Sequence, residues 1–143
     1  MSHVKSEQSD PLYRRDLLRL VADANGAGHM PAPDASASAH NPACGDRVQV
    51  ELRLQDGRVA ALVHDTRACV LTQASAALLA GSAIGRDATG LAALADSLRA
   101  MLKGEEPPPP GYEVFEGVAS HAGRHVCVLL PVEAALKALR GEP

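Results

Sequence analysis

Val48-Gln49-Val50-Glu51-Leu52-Arg53-Leu54 and Val59-Ala60-Ala61-Leu62-Val63, joined through Gln55-Asp56-Gly57-Arg58, decide the fold. In the first run Val48, Val50, Leu52 and Leu54 alternate with Arg47, Gln49, Glu51 and Arg53, the two-residue period of a half-buried strand. Asp56-Gly57 suits a tight hairpin turn, since both residues tolerate the positive φ that such a turn demands. Val59, Ala61 and Val63 alternate on the return run, which is expected to continue into a third strand up to Cys69.

Helical patterns surround this hairpin. Leu17, Leu20, Val21 and Ala24 make an apolar stripe within 12–24, with Arg14, Arg15, Asp16 and Arg19 on the wet side. The run 70–80 after Cys69 reads as a helix ending at Gly81, and Leu91, Leu94, Leu98 and Met101 or Leu102 mark another that stops at Gly104. Val132, Ala135, Leu136 and Leu139 form the last stripe, with Pro131 placed in its first turn and Gly141 at its stop. Residues 1–10 are read as a flexible tail, 25–43 as a mobile loop and 105–111, with Pro107-Pro108-Pro109-Pro110, as an extended spacer. The expected fold is a single α+β domain over 1–143, a small antiparallel sheet covered by helices. With 46% apolar residues but one Phe, two Tyr and no Trp, its core must be Leu, Val and Ala.

A formal charge of −3 gives no basic footprint for nucleic acid, and no apolar run is long enough to span a bilayer. No secretory leader is legible, so the chain is read as cytosolic, where disulfides are rare. Its three cysteines, Cys44, Cys69 and Cys127, cannot all pair with one another in any case. Taken singly, each is first a small buried hydrophobe. Their neighbours point further. Cys44 lies among turn formers, and Gly45 lets the backbone bring the Cys44 sulfur and an Asp46 oxygen to one point. Cys69 precedes a helix, whose free N–H groups and dipole favour a thiolate. Cys127 lies just ahead of another helix. Three thiolates and a carboxylate make a four-ligand set suited to tetrahedral zinc or to an iron–sulfur cluster, with Asp46 the exchangeable member. The gaps of 25 and 58 residues contain no Cys-x-x-Cys pair and match no zinc finger. His29 and His40 read as loop residues, and His125, taken to lie on a strand, faces away from Cys127.

Asn41-Pro42-Ala43-Cys44-Gly45-Asp46-Arg47, then a strand pair, then Cys69 with Ala74-Ser75-Ala76, then Cys127 with Leu130, resembles the IscU/NifU-type iron–sulfur cluster assembly scaffolds. Leu12-Tyr13-Arg14-Arg15 is similar to that family's opening helix. The long gap before Cys127 is similar to the SufU-type branch. The Leu-Pro-Pro-Val-Lys chaperone motif ahead of the third cysteine is replaced by Ser120-His121-Ala122-Gly123-Arg124-His125-Val126, which counts against an Hsp70-type partner. Glycines that the family has on either side of one residue before its second cysteine are Thr66 and Ala68 here, and Val126 stands where the family often has His or Lys.

The resemblance implies a metal site of Cys44, Asp46, Cys69 and Cys127 holding zinc or iron, or a transient iron–sulfur cluster bound by the three cysteines. It implies a non-enzymatic scaffold or sulfur carrier that takes persulfide sulfur from a cysteine desulfurase and serves recipient apo-proteins. Cys127 is the expected acceptor, because the proline spacer and the glycines Gly117 and Gly123 ahead of it make its segment a mobile one. Two rivals are a regulatory metal protein that keeps the fold without building clusters and a zinc hydrolase. The latter lacks a His-Glu-x-x-His or comparable base.

Overall fold

A computed structural model describes residues 15–43 and 45–142. The expected tail at 1–10, the start of the first helix at 12–14 and Cys44 lie outside the described residues. In order come α1 (Arg15–Asp23), β1 (Ala35–Asn41), β2 (Asp46–Gln55), β3 (Arg58–Arg67), α2 (Val70–Ser82), α3 (Ala88–Leu102), 3-10 segments Tyr112–Ser120 and Ala122–Arg124, and α4 (His125–Leu139). The strands form one antiparallel sheet of order β1-β2-β3.

The hairpin stands where the alternation places it. Asp56 (φ 54°) and Gly57 (φ 75°) both take the left-handed conformation its turn requires. Its return strand is phased differently from the expectation. Leu54 pairs with Val59 while Arg53 pairs with Ala61, so Ala60 is an extra residue and the ladder shifts there. Such a bulge inverts the side-chain parity beyond it. Val59, Leu62 and His64 are therefore the inward residues of β3, and Ala61 and Val63 are not.

The third strand does not follow β3, which runs unbroken to Arg67; it comes from the stretch read as a mobile loop. In β1 Ala37 and Ala39 are buried while Ser36, Ser38 and His40 face out, so the period is that of a strand, carried by residues too small to announce one. Small side chains let α4 lie close across β1 and β2. Lys137 from α4 also donates a 2.7 Å hydrogen bond to the Ser38 carbonyl at the sheet's edge. His40 is thus a strand residue, and His29 is engaged too, within 3.2 Å of a Glu51 oxygen and 3.5 Å of an Asp65 oxygen.

The core is mostly aliphatic, with Val48, Val50, Leu52, Leu79, Leu91, Leu98, Leu102 and Val128 all at 1% exposure or less. Tyr112 and Phe115 are buried in it as well. The segment 112–120, which precedes Cys127, is accordingly packed on the core and is not a mobile arm. Pro131 is the seventh residue of α4, well past the first turn where the sequence placed it.

Candidate metal centre

The elements above bring three distant residues together at one end of the sheet. Asp46 opens β2, Cys69 is the residue before α2, and Cys127 lies in the first turn of α4. The hairpin explains the first two. A strand that leaves one end of a sheet and a partner that returns must finish side by side, and Arg47 pairs with Arg67 across the ladder. Cys127 arrives by tertiary packing, because α2 and α4 lie against each other and Ser75 Oγ donates a 2.6 Å hydrogen bond to the Val128 carbonyl.

One ligand atom from each of Asp46, Cys69 and Cys127 lies within 4.8 Å of the other two. Asp46 is 7% exposed and Cys127 2%, while Cys69 is half-buried, so the cluster opens on the Cys69 side. The carboxylate of Asp46 is held on both oxygens. The Cys69 backbone N–H donates to Oδ1 at 3.3 Å, and the Thr72 hydroxyl to Oδ2 at 3.3 Å. Cys127 Sγ also lies 3.7 Å from Oδ2. Thr72 is fully buried and its Oγ1 lies 3.5 Å from Cys69 Sγ, so one hydroxyl touches two of the three clustered side chains. Sequence reading passed over Thr72. Its signal was its place three residues into the helix that follows Cys69, where a side chain turns back over the N-terminus.

The two thiols are unlike. Cys69 is drawn down to about 5, first by its hydrogen bond with the Cys127 thiol and then by the neighbouring Thr72 hydroxyl and backbone N–H, against an opposing effect of burial. Cys127 is pushed up out of the ordinary thiol range by its hydrogen bond to Cys69, by burial, and by the negative charges of Cys69 and Asp46.

Two sulfurs and a carboxylate oxygen are a donor set that zinc accepts. A tetrahedral ion with bonds of about 2.3 Å to sulfur and about 2.0 Å to oxygen has sulfur–oxygen edges of roughly 3.5 Å, and the 3.7 Å between Cys127 Sγ and Asp46 Oδ2 is close to that. The residues present therefore fit a metal with at least three of its ligands. His125 does not join them. It begins α4 rather than lying on a strand, and its Nε2 is 3.1 Å from the Ala119 carbonyl.

The NifU-like N terminal domain family matches residues 12–106. This chain belongs to that family. The matched span holds Cys44, Asp46 and Cys69 and stops short of Cys127, whose place beside them is given by the geometry above. The chain is 26% identical over 105 residues to the iron-sulfur cluster assembly scaffold protein IscU of Streptococcus pyogenes serotype M1, covering 71% of this chain and 66% of that protein. It is 23% identical over 137 residues to the zinc-dependent sulfurtransferase SufU of Bacillus subtilis strain 168, covering 93% and 92% respectively. The crystal structure of the N-terminal part of a nitrogen-fixing NifU-like protein from Brucella abortus resembles it with a TM-score of 0.84 and 34% identity, over 92% of this chain and 94% of that one. This NifU-like chain thus has the family's α+β fold, with Asp46, Cys69 and Cys127 at one end of the sheet.

Proposed function

We propose that this NifU-like protein is an iron–sulfur cluster assembly scaffold or zinc-dependent sulfur relay that receives persulfide sulfur from a cysteine desulfurase and passes sulfur or cluster to recipient apo-proteins. The observation that carries the reading is the convergence of Asp46, Cys69 and Cys127 within 4.8 Å at a half-open end of the sheet, in a chain whose relatives are named a cluster scaffold and a zinc-dependent sulfurtransferase. Cys44, two residues before Asp46, is the proposed fourth ligand.

Bound zinc would hold the cysteines as thiolates at neutral pH. This chain's residues do the rest. The Cys69 N–H and the Thr72 hydroxyl orient the Asp46 carboxylate, the oxygen donor that exchanges most readily among sulfurs. The Cys127 thiolate is the proposed acceptor. Its Sγ attacks the terminal sulfur of the donor's persulfide, a Cys127 Sγ–S bond forms, the donor's S–S bond breaks, and the electron pair leaves on the donor cysteine as its thiolate. Freedom for that step comes from Pro131, which has no N–H to give to the Cys127 carbonyl four residues back and so leaves the first turn of α4 less firmly tied.

The test pairs metal analysis with sulfur transfer. Protein purified without oxygen should carry about one tetrahedral metal per chain, and Asp46→Ala should exchange it faster. With a desulfurase and cysteine, mass spectrometry should find added sulfur on Cys127, and Cys127→Ser should abolish desulfurase stimulation while the protein stays folded. Metal content near zero, with no response of melting temperature to added zinc, would end the reading. Sulfur confined to Cys69 or Cys44 would remove the acceptor role from Cys127.

A further inference from the structure

The sheet has a solvent face as well as a core face, and the register sets one row of it apart. His40 pairs with Arg47 across β1 and β2, and Arg47 pairs with Arg67 across β2 and β3. All three are exposed, Arg67 with 80% of its side chain free. Directly opposed residues in a sheet hold their Cβ atoms about 4.5–5.5 Å apart, a spacing at which like charges destabilise the pair. Relief inside the chain is slight. Arg67 has one acidic neighbour, Asp65 at 3.8 Å, which His29 also engages, and among the described residues Arg47 and His40 have no ion pair or side-chain hydrogen bond.

The row also sits at the functional end. Arg47 follows Asp46, and Arg67 stands two residues before Cys69. A chain with a net charge of −3 therefore carries two opposed arginines, with only slight relief among the described residues, beside the half-open Cys69 side of its candidate metal centre. Alternation turns Asp46 inward and Arg47 outward, so the arginine cannot neutralise the carboxylate behind it.

We propose that the His40–Arg47–Arg67 row is a docking surface for an acidic stretch on the protein that delivers sulfur. This rests on the sulfur-acceptor reading above. Carboxylates placed over the row would relieve the repulsion that the free chain carries, and would hold the partner's active site over the Cys69 side of the centre. Charges at such a rim act chiefly on encounter, so their signature is a salt-dependent association rate.

The experiment uses the zinc-loaded protein, Arg47→Glu/Arg67→Glu in the same background, a ten-residue glutamate peptide, and a cysteine desulfurase as sulfur donor. At low salt the peptide should shift the backbone resonances of His40, Arg47 and Arg67 in the parent and not in the double variant. Sulfur transfer to the double variant should be about tenfold slower at low salt, with the difference fading at high salt, where Coulomb attraction is screened. Metal content and melting temperature should be unchanged in the double variant.

An absence of peptide shifts overturns the surface, as does sulfur transfer with the parent's rate and salt dependence. Equal shifts from inorganic phosphate at matched ionic strength would make the row a small-anion site and overturn the docking proposal as well. If the peptide binds as expected while no desulfurase transfers sulfur to the parent, the surface stands and the sulfur-acceptor reading fails.

Discussion

Ser75 Oγ donates to the Val128 carbonyl at 2.6 Å, joining α2 to α4 one turn or so beyond Cys69 and just past Cys127. This bond, between residues 53 positions apart, ties together the two helix starts that carry the thiols. Ser75→Ala should cost about 1 kcal/mol, the usual net worth of a hydrogen bond. Metal affinity should fall as well, because the spacing of two ligands is loosened. Chemical denaturation together with a zinc competition titration checks both, and unchanged affinity would show that helix packing alone sets the spacing.

Thr72 touches the Asp46 carboxylate and the Cys69 sulfur without exposing an atom to solvent. Thr72→Val keeps the shape and removes the hydroxyl. Partners of this kind commonly contribute 10–100-fold to metal affinity, so a loss of about tenfold is expected. Thr72→Ser should stay near the parent. A cobalt-substituted sample should show an altered absorption spectrum for the valine variant and not for the serine one.

In the metal-free protein the thiols should separate by pH. Cys69, held down to about 5, should react with iodoacetamide along a titration curve centred there, while Cys127 resists across the neutral range. The linkage signs are opposite. A lowered folded-state pKa means that Cys69 contributes stability in full above the ordinary thiol value of 9.0 and loses that contribution as pH falls to about 5. Cys127, raised, contributes below that ordinary value and loses its contribution as pH climbs. Peptide mapping after alkylation at several pH values reads each thiol separately.

Pro131 stands inside α4, four residues after Cys127. Pro131→Ala supplies an N–H to the Cys127 carbonyl. A helix-interior proline is about 3 kcal/mol worse than alanine, but the lost ring packing and the freer unfolded chain offset part of this, so a gain of roughly 1 kcal/mol is expected. Sulfur transfer to Cys127 should slow in the same variant. A stabilised protein with undiminished transfer would show that the proline is not what frees the thiol.

Much of this molecule was legible before folding. The hairpin and the helix after Cys69 rest on local signals: alternation, an Asp-Gly turn, a cysteine before an apolar helical run. The bulge at Ala60 was not legible, since the residues around it read equally well in either phase and only pairing with β2 selects one. β1 escaped because Ala-Ser alternation carries little apolar signal, and its strand form depends on β2 beside it and α4 above it.

The centre divides in the same way. Sequence by itself determined which side chains are suited to hold a metal, because ligand chemistry belongs to residue type, and a hairpin that returns the chain to its start gave reason to expect Cys44 and Cys69 at one end of the sheet. Only the tertiary structure decided that Cys127 joins Asp46 and Cys69, that Thr72 lies between carboxylate and sulfur, and that His40, Arg47 and Arg67 form one row across the sheet. Those relations span strands and helices far apart in the chain, and they are fixed by packing and register, which no local stretch of sequence contains.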